Sequence, residues 1–185
     1  LEAAWTGLDN ITTEKQEIIT DAELEPADNF GEEMRLCGQT GSRWKSITAG
    51  SEQILEGCKD IVDEVANSKI GKPYTGEDIN YIESPHSYNS VTDFYDNIVG
   101  VRSSYFGTEG ATSAQSTSVS TYIRSIDQAT DQAVIDAIEN SLSKIDAMPR
   151  PFVKNYTDTK VKEAIDACND LYDKLEAARK ILVNE

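Results

Sequence analysis

Apolar residues recur every three or four positions along most of this chain, and alternation of apolar and polar residues never lasts more than a few positions. Spacing of this kind gathers apolar side chains on one face of a helix. Such a face has to be buried, because apolar area left in water costs roughly 25 cal/mol per Å². The sequence therefore predicts an all-α protein whose amphipathic helices pack as an antiparallel helical bundle.

These apolar stripes, the rows of apolar residues along one helix face, also predict where the helices begin and end. The predicted helices run from Trp44 to about Asn67, from Ser90 to Gly107, from about Asp127 to Pro149 and from Asp158 onwards, with a short helix after Ser118. Gly71 and Pro73 should stop the first helix, and Ser90 with Asp93 resembles a capping box at the start of the second. The predicted core consists of Ile54, Ile61, Phe94, Ile98, Val134, Ile138, Ile165 and Tyr172.

A length of 185 residues fits one domain, 1–185, with a poorly patterned, loop-rich part at 1–43 and the bundle at 44–185. The chain opens on Leu1 rather than Met, and Ala4, Trp5 and Leu8 continue a helical spacing from that residue. We therefore expect a processed or truncated chain whose opening belongs to the interior of a helix. Any targeting segment would then lie upstream.

Charge narrows the range of partners. The chain carries 33 acidic and 17 basic residues, a formal net charge of −16. Nucleic acids and anionic membrane surfaces would repel such a chain, so neither is an expected partner. No apolar run approaches the roughly 20 residues of a membrane-spanning helix, so no spanning segment is expected in this chain.

Neither the cysteines nor the common catalytic motifs identify a functional site in this sequence. Three cysteines are too few and too scattered for a disulfide framework or a zinc site, and Cys58 and Cys168 fall on apolar stripes as small buried side chains would. The sequence has no serine-nucleophile elbow, phosphate loop, zinc-protease helix or EF-hand loop. Catalytic residues therefore stay unassigned.

The polar stretch from Lys72 to Asn89 is long for a loop in a compact domain, which is typical of functional loops. Its end places several oxygen-bearing side chains beside a predicted helix N-terminus, where hard cations find ligands and the dipole favours acids. The predicted metal ligands are Glu83, His86 and Asp93, and the predicted supporting residues are Ser84, Ser87, Asn89 and Ser90. Two alternatives stay open: the polar residues only cap the helix while Glu83 is solvated, or the loop is a structural brace.

The segment Ile82–Ile98 carries the most specific family resemblance. With its Glu-Ser, Ser, Asn-Ser, Asp-Phe and Asn-Ile pairs it resembles the C-terminal half of the imelysin family, a group of bacterial surface and periplasmic proteins related to insulin-cleaving membrane peptidases. Further support comes from Ile54–Gly57 leading into Asp63–Val65, from Tyr105–Gly107 and from Pro151–Phe152, so the resemblance runs from about Trp44 onwards.

The resemblance implies one half of a two-bundle architecture with a site near the junction of the halves. The family signature Gly-x-His-x-x-Glu is absent here, since Asn89 stands three residues after His86. The expected partner is therefore a missing N-terminal half, with iron or another divalent metal bound between the two, or a protein or peptide.

The function implied is that of a cell-envelope protein, periplasmic or on the outer surface and lipid-anchored upstream of this chain, that acts in metal acquisition. Peptidase activity of the complete protein is left open, and none is expected of these 185 residues alone, which hold one histidine. The alternative is a non-catalytic structural or protein-interaction helical domain.

Overall fold

The structure is a computed structural model that describes residues 12–13 and 30–183. The chain divides into two compact units, residues 1–51 and residues 52–185. The helical opening predicted from Leu1, Ala4, Trp5 and Leu8 lies outside the described residues.

Helices account for all the regular secondary structure in the described ranges, where no strand occurs. A π-helical turn, Glu64–Ile70, joins the second and third helices, and a 3-10 turn, Ile79–Tyr81, follows the third. The helices are α1 (Phe30–Arg35), α2 (Ile47–Asp63), α3 (Gly71–Thr75), α4 (Ser90–Phe106), α5 (Val119–Ile126), α6 (Gln128–Asp146), α7 (Phe152–Asn155) and α8 (Thr159–Val183).

The first unit is held by contacts between α1 and the segment that follows it. The ring of Phe30 meets the buried ring of Trp44 edge to face, with centroids 5.1 Å apart. Beside them, Arg43 Nε lies 2.7 Å from Glu33 Oε2. The loop-rich stretch predicted before Trp44 thus includes one short helix in its described part.

In the second unit, α8 is the longest helix and packs most extensively on α6. Lys144 Nζ of α6 lies 2.7 Å from Glu163 Oε2 of α8, and Ser141 Oγ donates to the carbonyl of Ala167 at 3.1 Å. Residue numbers fall along α6 as they rise along α8, so the two helices are antiparallel.

Helix α2 and its π-helical extension also run antiparallel to α8. Arg179 Nη1 lies 2.9 Å from Glu52 Oε1, and Asn67 Nδ2 donates to Asn169 Oδ1 at 3.3 Å. Between these contacts Glu176 accepts hydrogen bonds from Arg179 and forms an ion pair with Lys59. These two interactions hold the pKa of the Glu176 carboxyl well below its usual range.

Helix α4 packs on the other side of α6 and is antiparallel to it. Arg102 Nη1 lies 3.2 Å from Glu139 Oε1, while Tyr105 Oη, one turn further along α4, donates to Asp131 Oδ1 near the start of α6. The prediction of an all-α antiparallel bundle is confirmed.

The core agrees with the sequence except at two positions of α2 and one of α8. Phe94, Ile98, Val134, Ile138 and Ile165 are buried as predicted. Ile61, however, is 38% exposed, and Ile54 and Tyr172 are only half-buried at the edge of the core.

On α2 the buried face is instead formed by Leu55, Cys58 and Val62. The predicted residues Ile54 and Ile61 repeat at helical spacing, and so do the buried residues Leu55 and Val62. The second pair lies one position further along the chain, which is a rotation of roughly 100° about the helix axis. Periodicity alone does not distinguish such neighbouring stripes, so the prediction of Ile61 as a core residue is wrong.

The end of the first long helix also differs from the prediction. Helical turns continue past Gly71 and Pro73 and stop at Gly76, whose φ of 76° is left-handed. The wide π-helical turn brings the carbonyl oxygen of Ala66 within 2.7 Å of the place where a Cβ on Gly71 would sit, so only glycine fits there. Gly71 is therefore a close-packing residue rather than a helix stop.

Other predicted boundaries are confirmed by their hydrogen bonds. Gly107 ends α4 with a φ of 88°, and Ser118 Oγ accepts from the N–H of Thr121 at the start of α5. Asp158 Oδ1 likewise accepts from the N–H of Lys160 as α8 begins. In the described part of the chain, each helix is too short or too polar to cross a membrane.

Candidate functional site

The predicted site lies at one end of the bundle. Because the helices are antiparallel, the beginnings of α4 and α8 and the end of α6 meet there, and the rings of Phe94 and Phe152 join α4 to α7 with centroids 5.3 Å apart. We call this region, residues 76–93 and 147–158, the loop end. The opposite region, residues 105–131, is called the Asp131 end.

Glu83 is the best-defined acid of the loop end. Its side chain is 39% exposed, but its Oε2 atom is buried and has no hydrogen-bond donor. The ammonium of Lys69, itself 16% exposed, lies 3.0 Å from that oxygen without the alignment of a hydrogen bond. The contact is therefore an ion pair held by charge alone.

Ser90 fastens the loop to α4 rather than capping the helix. It is the first residue of α4, it is buried, and its Oγ donates to the carbonyl of Glu83 at 2.5 Å. Asn89, just before the helix, has helical angles and makes no side-chain cap bond. The predicted capping box of Ser90 and Asp93 is wrong, because the hydroxyl is committed to the preceding loop.

Asp93 lies in the first turn of α4, where the helix dipole favours a carboxylate. Its Oδ2 atom is buried and has no hydrogen-bond partner. The nearby amide of Asn97 donates to the main-chain carbonyl of Asp93, at 2.8 Å, and not to its carboxylate. Asp93 thus holds a carboxylate oxygen with unused acceptor capacity.

Between these acids the chain makes a tight turn. Ser84 and Tyr88 have φ values of 52° and 61°, a left-handed conformation that is uncommon for residues with a side chain. The N–H of Tyr88 donates to the carbonyl of Ser84 at 3.1 Å, and Ser87 Oγ donates to the same carbonyl at 3.4 Å. His86 is exposed on this turn, as are Ser87 and Asn89.

Glu83 and His86 lie in the loop before α4, and Asp93 lies in the first turn of that helix. Within residues 12–13 and 30–183, no three or more His, Cys, Asp or Glu side chains are grouped so as to hold a metal ion. The two buried carboxylate oxygens that lack a hydrogen-bond donor in that part of the chain nevertheless belong to Glu83 and Asp93. Carboxylate oxygens suit hard cations, so the donor types fit a metal, but the ligand number is incomplete.

The sequence prediction missed a buried acid that is hydrogen-bonded through both of its oxygens, Asp131. This residue is 1% exposed and lies at the Asp131 end. Its Oδ1 accepts from Tyr105 Oη at 2.9 Å and Ser120 Oγ at 2.6 Å, and its Oδ2 accepts from Arg124 Nε at 2.7 Å. Asp131 lies on the same buried helical face as Val134 and Ile138. An acid on an otherwise apolar stripe is the sequence signal that could have identified this residue.

This network ties α4, α5 and α6 together with a single carboxylate. Burial first, and then the charge of Asp131, raise the pKa of Tyr105 far above its usual range, so this hydroxyl keeps its proton and stays a donor. An acid already bonded to three donors has little capacity left for a ligand, so we assign Asp131 a structural role.

The buried thiols are not candidates for the site. Cys58 and Cys168 are free and buried, as predicted, and burial raises the pKa of each thiol to about 12. A protonated, buried thiol is a poor nucleophile and a poor metal ligand.

A shallow cleft of about 170 Å³ borders the loop end. It lies between the π-helical turn, α3 and the start of α8, and Asn67, Tyr74, Glu77 and Lys162 are among its lining residues. Lys162 forms an ion pair with Asp166, so its charge is compensated within α8.

Comparison with known proteins gives the class to which this fold belongs. The sequence pattern of the imelysin family matches residues 1–178, and the chain belongs to that family. The match begins well before Trp44, so the family likeness includes the poorly patterned opening of the chain as well as the bundle.

Two crystal structures are similar in fold. An imelysin peptidase from Bacteroides ovatus superposes with a TM-score of 0.76 at 26% identity, over 85% of this chain and 46% of the other. A candidate iron-regulated protein A precursor from Parabacteroides distasonis gives a TM-score of 0.76 at 25% identity, over 84% of this chain and 47% of the other.

A curated relative is similar in sequence. Iron-regulated protein A of Synechococcus elongatus is 29% identical over 101 residues, which is 53% of this chain and 28% of that protein. The chain thus spans about half the length of the two solved relatives and a smaller share of this one.

Proposed function

We propose that this protein is an exported, cell-envelope member of the imelysin family that binds iron or another divalent metal as part of metal acquisition. The names of two relatives, both iron-regulated protein A, support the link to iron, and the naming of one as a precursor supports export. The imelysin-like fold is established, while the metal, the compartment and the role are the content of this proposal.

The observation that carries the proposal is the buried Oδ2 atom of Asp93, which has no hydrogen-bond partner, together with the buried Oε2 atom of Glu83, whose printed contact is the ion pair with Lys69. Buried acceptors are normally satisfied, and an unsatisfied one calls for a water, an ion or a partner group. Both residues belong to the oxygen-rich segment that resembles the family, with Glu83 in the loop before α4 and Asp93 in the first turn of that helix.

In this proposal Glu83 and Asp93 are the metal ligands of the loop end, and Ser90 holds the first in place through its main-chain carbonyl. His86 is a third ligand that joins when its exposed turn closes on the ion, and Ser84, Ser87 and Asn89 shape that turn. A metal held by so few ligands of one chain needs others, so we further propose that a second bundle completes the site. This chain would then be one half of a two-bundle protein.

Binding of Mn²⁺, an oxygen-preferring divalent ion, to the complete protein tests the assignment by calorimetry. Glu83→Gln and Asp93→Asn keep the side-chain shape and remove the charge, and each should weaken binding by about tenfold or more. Glu77→Gln, an exposed acid of the neighbouring loop, is the matched control and should leave the affinity unchanged. Equal affinities for all the variants would remove Glu83 and Asp93 from the site.

A non-catalytic interaction domain is the second candidate, favoured by three large side chains exposed close together in the sequence. Ile79, Tyr81 and Tyr88 are 52%, 41% and 52% exposed. If Glu83→Gln lowers the thermal stability of the complete protein without changing its Mn²⁺ affinity, the loop is a brace or a contact surface and this second function is favoured.

Peptidase activity of the complete protein is a separate proposal, supported by the name of the Bacteroides ovatus relative. We expect no peptide hydrolysis by these 185 residues alone, since their one histidine is exposed and has no recognisable catalytic partner. Turnover of an unstructured peptide substrate by this chain would contradict that expectation.

A further inference from the structure

A short segment of the loop end, residues 83–89, lies between two buried residues. Ile82 before it and Ser90 after it are both buried, whereas each residue between them is half-buried or exposed. We call residues 83–89 the strap. Its two ends are fixed in the bundle, but the strap itself contributes no fully buried side chain to the core. Segments with so few buried contacts open locally at a low cost in free energy.

The hydrogen bonds of the strap are mostly internal. The N–H of Tyr88 and the hydroxyl of Ser87 both donate to the carbonyl of Ser84. Ser90, just after the strap, donates to the carbonyl of Glu83, the first strap residue. The middle of this described segment makes its hydrogen bonds within the strap and none to another helix. Hydrogen bonding therefore holds the strap to the bundle only at its ends.

Two lysines from other elements reach the strap. The ammonium of Lys69, in the π-helical turn, lies 3.0 Å from Oε2 of Glu83, without the alignment of a hydrogen bond. At the other end of the strap, the ammonium of Lys154, in α7, lies 5.6 Å from the ring centroid of Tyr88. Contacts of this kind near water are individually weak, and salt screens them. The strap is therefore fastened by charge rather than by packing.

The backbone of the strap is strained in this fastened state. Ser84 and Tyr88, each one residue from an end of the strap, have φ values of 52° and 61°. Residues with a side chain adopt such left-handed angles at a cost, and they keep them only where the surroundings hold them. Strain thus opposes the two lysine contacts, and the turn should relax when those contacts are lost.

We propose that the strap is a lid, held closed by Lys69 and Lys154, that opens about its buried ends and gives access to the carboxylates of Glu83 and Asp93. The N–H of Asp93 donates to the carbonyl of Asn89, the last strap residue, so opening also loosens the first turn of α4. In the closed state the Oδ2 atom of Asp93 is buried. The lid controls access for any ligand of the loop end, so the inference does not depend on metal binding.

Hydrogen exchange of single amides in the complete, metal-free protein measures the opening. The amides of Tyr88 and Asp93 are the reporters, because each loses its acceptor when the strap opens. Lys69→Met and Lys154→Met keep an apolar stem and remove the charge, so each should speed exchange at both amides by about two- to fivefold. Lys160→Met, at an exposed lysine near the start of α8, is the matched control and should exchange as the wild type does.

Salt gives a second readout that needs no substitution. Raising NaCl from about 0.05 M to about 0.5 M should speed exchange at the Tyr88 amide of the wild type, because both fastening contacts are screened. The variant with both Lys69→Met and Lys154→Met should respond much less, since it has lost the charges that salt screens. The wild-type salt response decides the matter alone if the lysine variants do not fold.

Amides in the middle of α8 separate local opening from loss of stability. Faster exchange confined to the strap and the first turn of α4 supports a lid. Equal acceleration in α8 would show that the lysines only stabilise the whole bundle, and this result overturns the inference. Exchange at Tyr88 that responds neither to salt nor to the lysine variants overturns it as well. The outcome of the Mn²⁺ binding test has no bearing on either result.

Discussion

The two ends of the bundle treat buried acid groups in opposite ways. At the Asp131 end one carboxylate receives hydrogen bonds from Tyr105, Ser120 and Arg124. At the loop end, Asp93 keeps a buried oxygen without a hydrogen-bond partner, and the buried oxygen of Glu83 has the ion pair with Lys69 but no hydrogen bond. The positions of Asp93 and Tyr105, twelve residues apart on α4, place the two ends about 18 Å from each other.

The difference separates an acid that holds the fold together from acids that are available to a ligand. Burying a charge is costly unless donors compensate it, so a saturated carboxylate stabilises the contacts it makes and loses its capacity for others. An unsaturated one keeps that capacity at a cost in stability. The two kinds of acid should therefore respond in opposite ways to substitution.

The largest effect is expected from Asp131→Ala. The change leaves the buried hydroxyls of Tyr105 and Ser120 without their acceptor, and each unsatisfied buried donor typically costs about 1–3 kcal/mol of unfolding free energy. The Arg124 side chain is 46% exposed and becomes solvated, so its lost ion pair adds little. Urea unfolding measures the loss. Asp136→Ala, on the exposed side of the same helix, is the control and should change the free energy by less than about 0.5 kcal/mol. Equal effects of the two changes would remove the distinction between the acids.

Alkaline pH should weaken the bundle through its buried thiols. The folded protein holds Cys58 and Cys168 protonated up to a pKa of about 12, whereas thiols in an unfolded chain titrate near about 8.5. Between these values the unfolded chain binds fewer protons, so stability falls as pH rises, by about 1.4 kcal/mol per pH unit for each thiol.

Urea unfolding between pH 8 and pH 10 measures this slope. Cys58→Ala should remove one thiol's share of it, whatever the substitution costs at pH 7. The Sγ atom of Cys58 lies 3.9 Å from the carbonyl of Val101, one turn of α4 before Tyr105, so the test probes packing beside the Asp131 end. A slope identical to that of the wild type would contradict a protonated, buried Cys58.

A smaller loss is expected from Tyr105→Phe. The ring stays in the core, and Asp131 keeps its bonds to Ser120 and Arg124, so only one hydrogen bond is lost, worth about 1 kcal/mol. Thermal or urea unfolding at pH 7 measures it. Tyr88→Phe at the loop end is the control because that side chain is 52% exposed, and it should be nearly neutral. A neutral Tyr105→Phe would show that the donors of Asp131 are redundant.

The smallest change is expected from Asp93→Asn in metal-free buffer. The substitution removes a charge that the helix dipole favours but whose buried oxygen has no donor. The two effects oppose each other, so the unfolding free energy should stay within about 0.5 kcal/mol of the wild type. Chemical unfolding in the presence of a chelator measures it. A loss comparable to that of Asp131→Ala would mean that Asp93 is a structural acid as well, and the contrast between the two ends would disappear.

The sequence predicted features that depend on local chemistry. Each helix signal used here depends only on a few neighbouring residues: an apolar stripe, a proline break, or a cap such as Ser118 or Asp158. The helices that these signals predict are present. The choice between Ile61 and Val62 as the buried side of α2 depends on which helices pack there, and spacing does not contain that information. The hydroxyl of Ser90 was assigned to its own helix, whereas its acceptor lies seven residues earlier, in the loop.

The same limit applies to the candidate site. Oxygen-rich composition pointed to Glu83 and Asp93, which do hold unsatisfied oxygens, but the counter-charge on Lys69 lies fourteen residues before Glu83 and meets it only in three dimensions. Asp131 was missed for the same reason, because its donors come from two other helices. The metal assignment of Glu83, His86 and Asp93 stays a prediction until binding is measured.

The π-helical turn at Glu64–Ile70 has a consequence for the way this family is aligned. A turn of that kind holds about one residue more than an ordinary helical turn, so it acts as a single-residue insertion hidden inside continuous helix. A relative without it would need a one-residue gap between positions 63 and 71, and an ungapped alignment would pair Lys69 with the wrong neighbour. Comparisons of charge at this position across the family therefore depend on where that gap is placed.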